Sequence, residues 1–145
     1  MANLLAVVRV RGVRNIEPRI KKTLEHLRLN RPNHCVVVRP TDSILGMLEK
    51  VKDYVTFGEI SEEILFELLL KRGERGKKAL RSIKSEEEIK NIVKEIIAGK
   101  KISEFVDPVF RLHPPRKGYK NVKLHYPRGA LGRRESMDDL IKRMI

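Results

Sequence analysis

Disulfides and membrane spans are absent from the means by which this chain can hold itself together. It carries one cysteine, Cys35, which excludes an internal disulfide framework and fits a reducing compartment. No apolar run approaches the roughly 20 residues that cross a bilayer. The opening MANLLAVVRVRG has no basic leader ahead of a long apolar stretch, so no secretory signal is expected. There is no internal repeat. Acidic residues are scarce: 19 stand against 32 lysines and arginines, for a net charge of +13 and a pI of about 10.1. A soluble, cytoplasmic protein with a polyanionic partner is expected. A membrane surface fits less well, since no basic amphipathic helix is evident.

What is present is enough to fold. Hydrophobic residues make up 41% of the 145, too many for a disordered protein and sufficient for one domain with an appendage. The charge is unevenly spread. Residues 1–60 hold 11 basic and 6 acidic groups, 61–110 hold 11 and 10, and 111–145 hold 10 and 3. Between Arg111 and Arg134 there are eight basic residues and no acidic one.

The hydrophobic pattern predicts strand, helix, strand, helix, strand through residue 58. LLAVVRV (4–10) reads as a buried strand. Asn15 is expected to cap a helix in which Ile16, Ile20, Leu24 and Leu27 share one face, with Asn30 and Pro32 ending it. HCVVVRP (34–40) is a second strand, and Thr41 or Asp42 caps a helix striped by Ile44, Met47, Leu48 and Val51. Tyr54, Val55 and Phe57 form a third strand closed by Gly58. This order predicts helices packed on one face of a small sheet. Ser61 caps a further helix ending at Gly73. Ser85 and Glu88 form a capping box ahead of Ile89, Ile92, Val93, Ile96 and Ile97. Ser136 is expected to cap a short last helix bearing Met137, Leu140, Ile141 and Met144.

Catalytic signals are weak. GERGKK lacks the spacing and the hydroxyl of a phosphate-binding loop. His26, His34, His113 and His125 show no ligand spacing, and one cysteine builds no zinc site. His34 beside Cys35 resembles a nucleophile pair only superficially. The pair opens an apolar strand, where an inert buried thiol, slow to label before unfolding, is expected. Glu86, Glu87 and Glu88 lie in a first helical turn, where the helix dipole explains them.

The basic residues therefore carry the functional reading. Lys21 and Lys22 are explained as well by solvation as by function. Arg9, Arg11 and Arg14 cluster at a strand end and its turn, where planar guanidinium forks suit phosphates. The link KRGERGKKALR adds Arg72, Arg75, Lys77 and Lys78. The segment FRLHPPRKGYKNVKLHYPRGALGRR adds Arg111, Arg116, Lys117, Lys120, Lys123, Arg128, Arg133 and Arg134, with Tyr119 and Tyr126 placed to stack on bases. With few apolar residues and concentrated charge, 111–134 is expected to stay mobile when free and to order on RNA. Deleting 111–145 should then leave the rest nearly as heat-stable.

The segments VVRVRG, TLEHLRLNRPNHCVVV and PTDSILGMLEKVKDYVTFGEI, in that order, resemble the large-subunit ribosomal protein family called L-thirty, or L-seven in eukaryotes. LLLKRGERGK, FRLHPPRKG and GRRESMDDLIKRMI resemble the extension of its archaeal and eukaryotic forms. The resemblance implies an α+β fold with a three-stranded antiparallel sheet and two helices, a β-α-β-α-β ferredoxin-like core. A helical extension and an extended basic C-terminal segment follow that core. The implied divisions are 1–60, 61–110 and 111–145. It also implies a non-enzymatic scaffold without cofactor, metal or small-molecule substrate. Its partners would be large-subunit rRNA of the 23S type, with 5S rRNA and neighbouring ribosomal proteins as further candidates. Carried over by position, it favours Arg9, Arg11, Arg28, Arg31 and Lys50 as core RNA contacts, with Leu45 and Glu49 departing from the basic residues relatives often place there. An RNA-processing or RNA-modifying enzyme on a similar sheet is the competing reading, and it needs a polar catalytic cluster.

Overall fold

The structure is a computed structural model that describes residues 4–12, 17–76, 78–100, 102–119, 121–126 and 128–145. Strand β1 (Leu4–Arg9) is buried along its whole length. An unbroken apolar, β-branched run leaves neither side of the strand for solvent, so it belongs at the centre of a sheet covered on both faces. Helix α1 (Pro18–His26), strand β2 (His34–Val38), helix α2 (Asp42–Val51) and strand β3 (Val55–Ile60) follow. Both β2 and β3 flank β1 antiparallel, with Val7 opposite Val36 on one side and Phe57 on the other.

Side-chain alternation splits the sheet between two cores. Leu5, Val7, Val36 and Phe57 face α1 and α2 and meet Leu24, Leu29, Leu48 and Val51. This is the expected antiparallel core with both helices on one face. Thr41 caps α2, its Oγ1 accepting from the Ile44 amide. Helix α1 begins at Pro18, preceded by Glu17; the expected cap Asn15 lies outside the described residues.

Leu4, Ala6, Val8, Cys35 and Val37 face the other way, into a core closed by the rest of the chain. Helix α3 (Glu62–Arg72) is capped by Ser61 as expected. The basic link is more than a connector: it forms a hairpin of β4 (Glu74–Arg75) and β5 (Lys78–Ala79), then a one-turn helix α4 (Leu80–Ile83). Helix α5 (Glu86–Ala98) starts with the Ser85 Oγ accepting from the Glu88 amide. A 3-10 turn, Ile102–Glu104, leads to strand β6 (Phe110–Arg111). Strands β7 (Asn121–His125) and β8 (Gly129–Ser136) and helix α6 (Asp138–Met144) complete the chain. The six-stranded sheet has the order β6-β2-β1-β3-β8-β7.

The C-terminal segment corrects the sequence reading. It was expected to lack apolar support, but Leu112 and Leu131 within it and Phe110 and Met137 at its flanks occupy buried positions. Strand β6 adds antiparallel to β2, pairing Phe110 with Cys35 and Arg111 with His34. Strand β8 adds parallel to β3. Leu140, Ile141 and Met144 then close the second core. Phe110, Leu112 and Leu131 are spread over 22 positions with no local periodicity, which is why they escaped notice. Two smaller corrections concern termini. Gly58 lies inside β3 rather than closing it. Ser136 ends β8 and Met137 takes the cap position, although the Ser136 Oγ still accepts from the Asp138 amide.

Candidate nucleic-acid interface

One end of the sheet gathers the basic residues of the core, and the way α1 terminates determines how. Leu27 is the last near-helical residue, and Arg28 turns left-handed at φ 63°. The Leu29 amide donates to Leu24 O and the Arg28 amide to Glu25 O. That is the paired-bond ending in which an apolar residue folds back on the helix; Leu29 and Leu24 share the core. The turn leaves Arg28 exposed and aims the Leu29 carbonyl inward.

Arg9 receives that carbonyl. Its Nη1 donates to Leu29 O at 2.7 Å, its Nε to Arg11 O at 3.0 Å and its Nη2 to Gly12 O at 3.2 Å. Only 3% of the residue is exposed. Expected as an RNA contact, Arg9 instead sits inside the protein with all three nitrogens engaged. Burial lowers its pKa, and only Tyr54 opposes the shift. Arg11, by contrast, is exposed, with its guanidinium 5.2 Å from the centre of the Tyr54 ring. Stacking of this kind fixes the fork while leaving its donors free to point outward.

Asn33, which the sequence reading overlooked, ties the C-terminal segment to the same place. At φ 68° its amide donates to Arg9 O at 2.7 Å, and its carbonyl accepts from the Leu112 amide at 3.3 Å. Its Oδ1 accepts from the Tyr119 hydroxyl at 2.6 Å. Tyr119 is thus half-buried against the core and held by its hydroxyl, where base stacking was expected; burial pushes its pKa up. An Asn at a left-handed position before a strand is the signal that marks such a hub. His34 reports the charge density here. Burial first, then the positive charges of Arg111, Arg31 and Arg9, hold its pKa below the ordinary value. Arg31 is exposed.

The other expected residues form satellites of this end or lie apart. Arg111 is exposed but paired, Nη1 to Glu74 Oε2 at 3.0 Å, which sets the β4–β5 hairpin beside β6. The Glu74 carbonyl accepts from the Asp107 amide, and the Gly76 amide donates to Asp107 Oδ1. This clamp presents Arg75 and Lys78 to solvent, with Arg72 half-buried behind them. Arg116 and Lys117 are exposed on a turn whose carbonyls, at Arg116 and Gly118, accept from Arg143 Nη1. On the β8 side Arg128 and Arg133 are exposed. Tyr126 is exposed, with the Arg134 guanidinium 5.3 Å from the centre of its ring, while the Arg134 Nε donates to Thr56 Oγ1. Arg14, Lys77 and Lys120, and the side chain of Lys123, lie outside the described residues.

Lys50 belongs to a different surface. It lines an open groove between α1 and α2, about 590 Å³, with Arg19, Lys22 and His26. Sequence reasoning gave Arg19 no part, because helix-surface cations carry no signal until a second helix is laid beside them.

Among the described residues, nothing at this end supports covalent chemistry. Cys35 is fully buried in β2, and burial pushes its thiol up to about 12. A protonated thiol sealed in a core is no nucleophile. Among the described residues, no group of three or more His, Cys, Asp or Glu is placed to hold a metal.

The sequence is similar over most of its length to known proteins. The family model described as Ribosomal protein L30p/L7e matches residues 5–55, from the first strand to the start of the third. The large ribosomal subunit protein uL30 of Archaeoglobus fulgidus is 48% identical over 138 residues, covering 89% of this chain and 91% of that protein. The uL30 of Methanobrevibacter smithii is 43% identical, covering 98% and 100%. That of Nanoarchaeum equitans is 44% identical, covering 98% and 99%. Near-full coverage extends the likeness through the helical and C-terminal segments. The chain belongs to the L30p/L7e family of ribosomal proteins.

Proposed function

We infer that this chain is a structural, non-enzymatic constituent of the large ribosomal subunit in the cytoplasm, where it supports translation by holding folded rRNA. The observation that carries this reading is the placement of exposed Arg11 and Arg31 in loops at one end of the sheet, beside His34, whose pKa Arg111 and Arg31 help to lower, in a chain similar to large-subunit proteins. A fixed array of guanidinium forks recognises phosphates arranged by RNA folding and says little about base identity. The partners are 23S-type rRNA and neighbouring large-subunit proteins, with 5S rRNA as a further candidate. In this reading 1–60 is the docking core and 61–110 supplies the hairpin and the helical cover. Residues 111–145 form a basic strap that reaches RNA through Arg116, Lys117, Arg128 and Arg133. Arg14, Lys77, Lys120 and Lys123 remain in the proposal on sequence grounds.

The test is binding of the purified protein to deproteinised large-subunit rRNA across a salt series. Each phosphate neutralised adds about 0.7–0.9 to the slope of log affinity against log salt. A steep slope, with co-sedimentation on large subunits that resists moderate salt, is expected. A slope near zero would contradict the reading.

A further inference from the structure

The three loops that carry the core cations meet at one strand end. The loop after β1 presents Arg11, the turn between α1 and β2 presents Arg31, and the turn between α2 and β3 presents Tyr54 beneath Arg11. Arg28, in the same turn as Arg31, instead lines a separate cavity with Leu4, Val37, Arg39 and Lys100. Loops of this kind have little apolar area of their own, so a specific mutual arrangement needs hydrogen bonds that cross between them. The bonds are present, and they run through consecutive residues. The Arg9 guanidinium holds Leu29 O in the second loop and Arg11 O and Gly12 O in the first. The Arg9 carbonyl takes the Asn33 amide. The Val10 and Arg11 amides both donate to Tyr54 O, at 2.9 and 3.2 Å, which binds the third loop.

A single side chain thus spans two loops from inside, with no acidic partner among its bonded groups. The carbonyls answer its charge, and each is fixed in return. A planar fork with donors on Nε, Nη1 and Nη2 can reach three carbonyls in different directions at once. An ammonium cannot hold the same three positions, and an apolar side chain holds none.

We propose that Arg9 is a positioning residue for RNA recognition: it touches no RNA and sets the geometry in which Arg11 and Arg31 meet phosphates. The proposal rests on the RNA-binding reading. It departs from the sequence reading, in which Arg9 was itself a contact. A positioning residue and a contact residue differ in a measurable way. Losing a contact removes a neutralised phosphate and lowers the salt slope. Losing the positioner weakens binding at every salt concentration and leaves the slope nearly as it was, because the contacting cations are still present.

The experiment compares the intact chain with Arg9→Met, Arg9→Lys and Arg31→Ala. Binding to deproteinised large-subunit rRNA is measured over a salt series, with amide hydrogen exchange on the free proteins. Arg31→Ala is expected to lower the slope by about 0.7–0.9. Arg9→Met is expected to weaken binding by about ten-fold with an unchanged slope, and to speed exchange at the Asn33 amide. If Arg9→Met fails to fold, Arg9→Lys decides. It keeps the charge and loses the fork, so it too should weaken binding at constant slope and speed exchange at Asn33. Full affinity in the Arg9→Lys protein would overturn the proposal. So would a slope lowered by one phosphate in Arg9→Met, which would make Arg9 a contact. If the intact chain itself shows no salt dependence, the RNA reading fails, and unchanged exchange at Asn33 would separately dispose of the positioning role.

Discussion

Gly58 and Arg134 approach so closely that a β-carbon at residue 58 would lie 2.7 Å from the Arg134 carbonyl oxygen and 3.1 Å from Met137 Cγ. The contact brings the C-terminal segment against β3, because β8 runs parallel to β3 at this point. A carbonyl in a strand is fixed by its neighbours, so the clash cannot be relieved by rotating a side chain. Gly58→Ala is expected to destabilise the protein by about 1–3 kcal/mol, measured by chemical denaturation. Gly46→Ala is the control. It lies in α2 with nothing within 4 Å of its added methyl, and should stabilise by about 0.5–1 kcal/mol.

Arg28 separates stability from binding. Its left-handed backbone, φ 63°, costs a residue with a side chain about 1 kcal/mol that glycine does not incur. Arg28→Gly should therefore raise the melting temperature. If its exposed guanidinium neutralises a phosphate, the same change should lower the salt slope by about 0.7–0.9. Calorimetry and a binding titration on one variant check both halves. A lower melting temperature would show that the arginine side chain supports the turn.

Acid should weaken the fold partly through His34. Its folded pKa is depressed, so below the unfolded value of 6.5 the unfolded chain binds more protons than the folded one. Stability from this source is present above pH 6.5 and is lost as pH falls through that value towards the folded pKa. The residue is only half-buried, so solvent screening keeps the effect small. Urea denaturation between pH 7 and 5 should show a shallower loss for His34→Gln than for the unaltered chain. Parallel curves would mean that neither burial nor the positive charges of Arg111, Arg31 and Arg9 disfavour a protonated imidazole there.

The C-terminal segment should behave as part of the fold. Ile141 and Met144 are fully buried in the core that also holds Ala6, Val8 and Cys35. Ile141→Ala is expected to cost about 2–5 kcal/mol. Removing 111–145 would uncover that core as a whole, and the remaining 1–110 should lose its cooperative melting transition. Circular dichroism of the truncated chain during heating gives the answer. A transition close to that of the full chain would restore the view that the tail is an independent arm.

These four cases also show where the sequence was legible. Strong local signals came through: the apolar run of β1, the Thr41, Ser61 and Ser85 caps and the stripe of α5 all follow from neighbours within one or two turns. The α1 and α2 layer followed from the same periodicity. What stayed hidden depends on residues far apart in the chain. Gly58 reads as a strand terminator until β8 arrives, beginning 71 positions later. Arg9 reads as a surface cation until the Leu29 carbonyl is seen pointing at it. Arg9 and Arg11 share an Arg-rich stretch in which composition alone cannot separate the buried residue from the exposed one. Charge pointed to the candidate interface and left the division of labour within it unread.

The most direct test of the account is ultraviolet crosslinking of intact large subunits, followed by mass spectrometry of the peptides joined to RNA. The account predicts crosslinks on the peptides bearing Arg11, Arg28 and Arg31, on the β4–β5 hairpin and on residues 116–134. The acidic first turn of α5, Glu86 to Glu88, should stay clear of RNA. Crosslinks concentrated on α5, with none around Arg11 and Arg31, would contradict it.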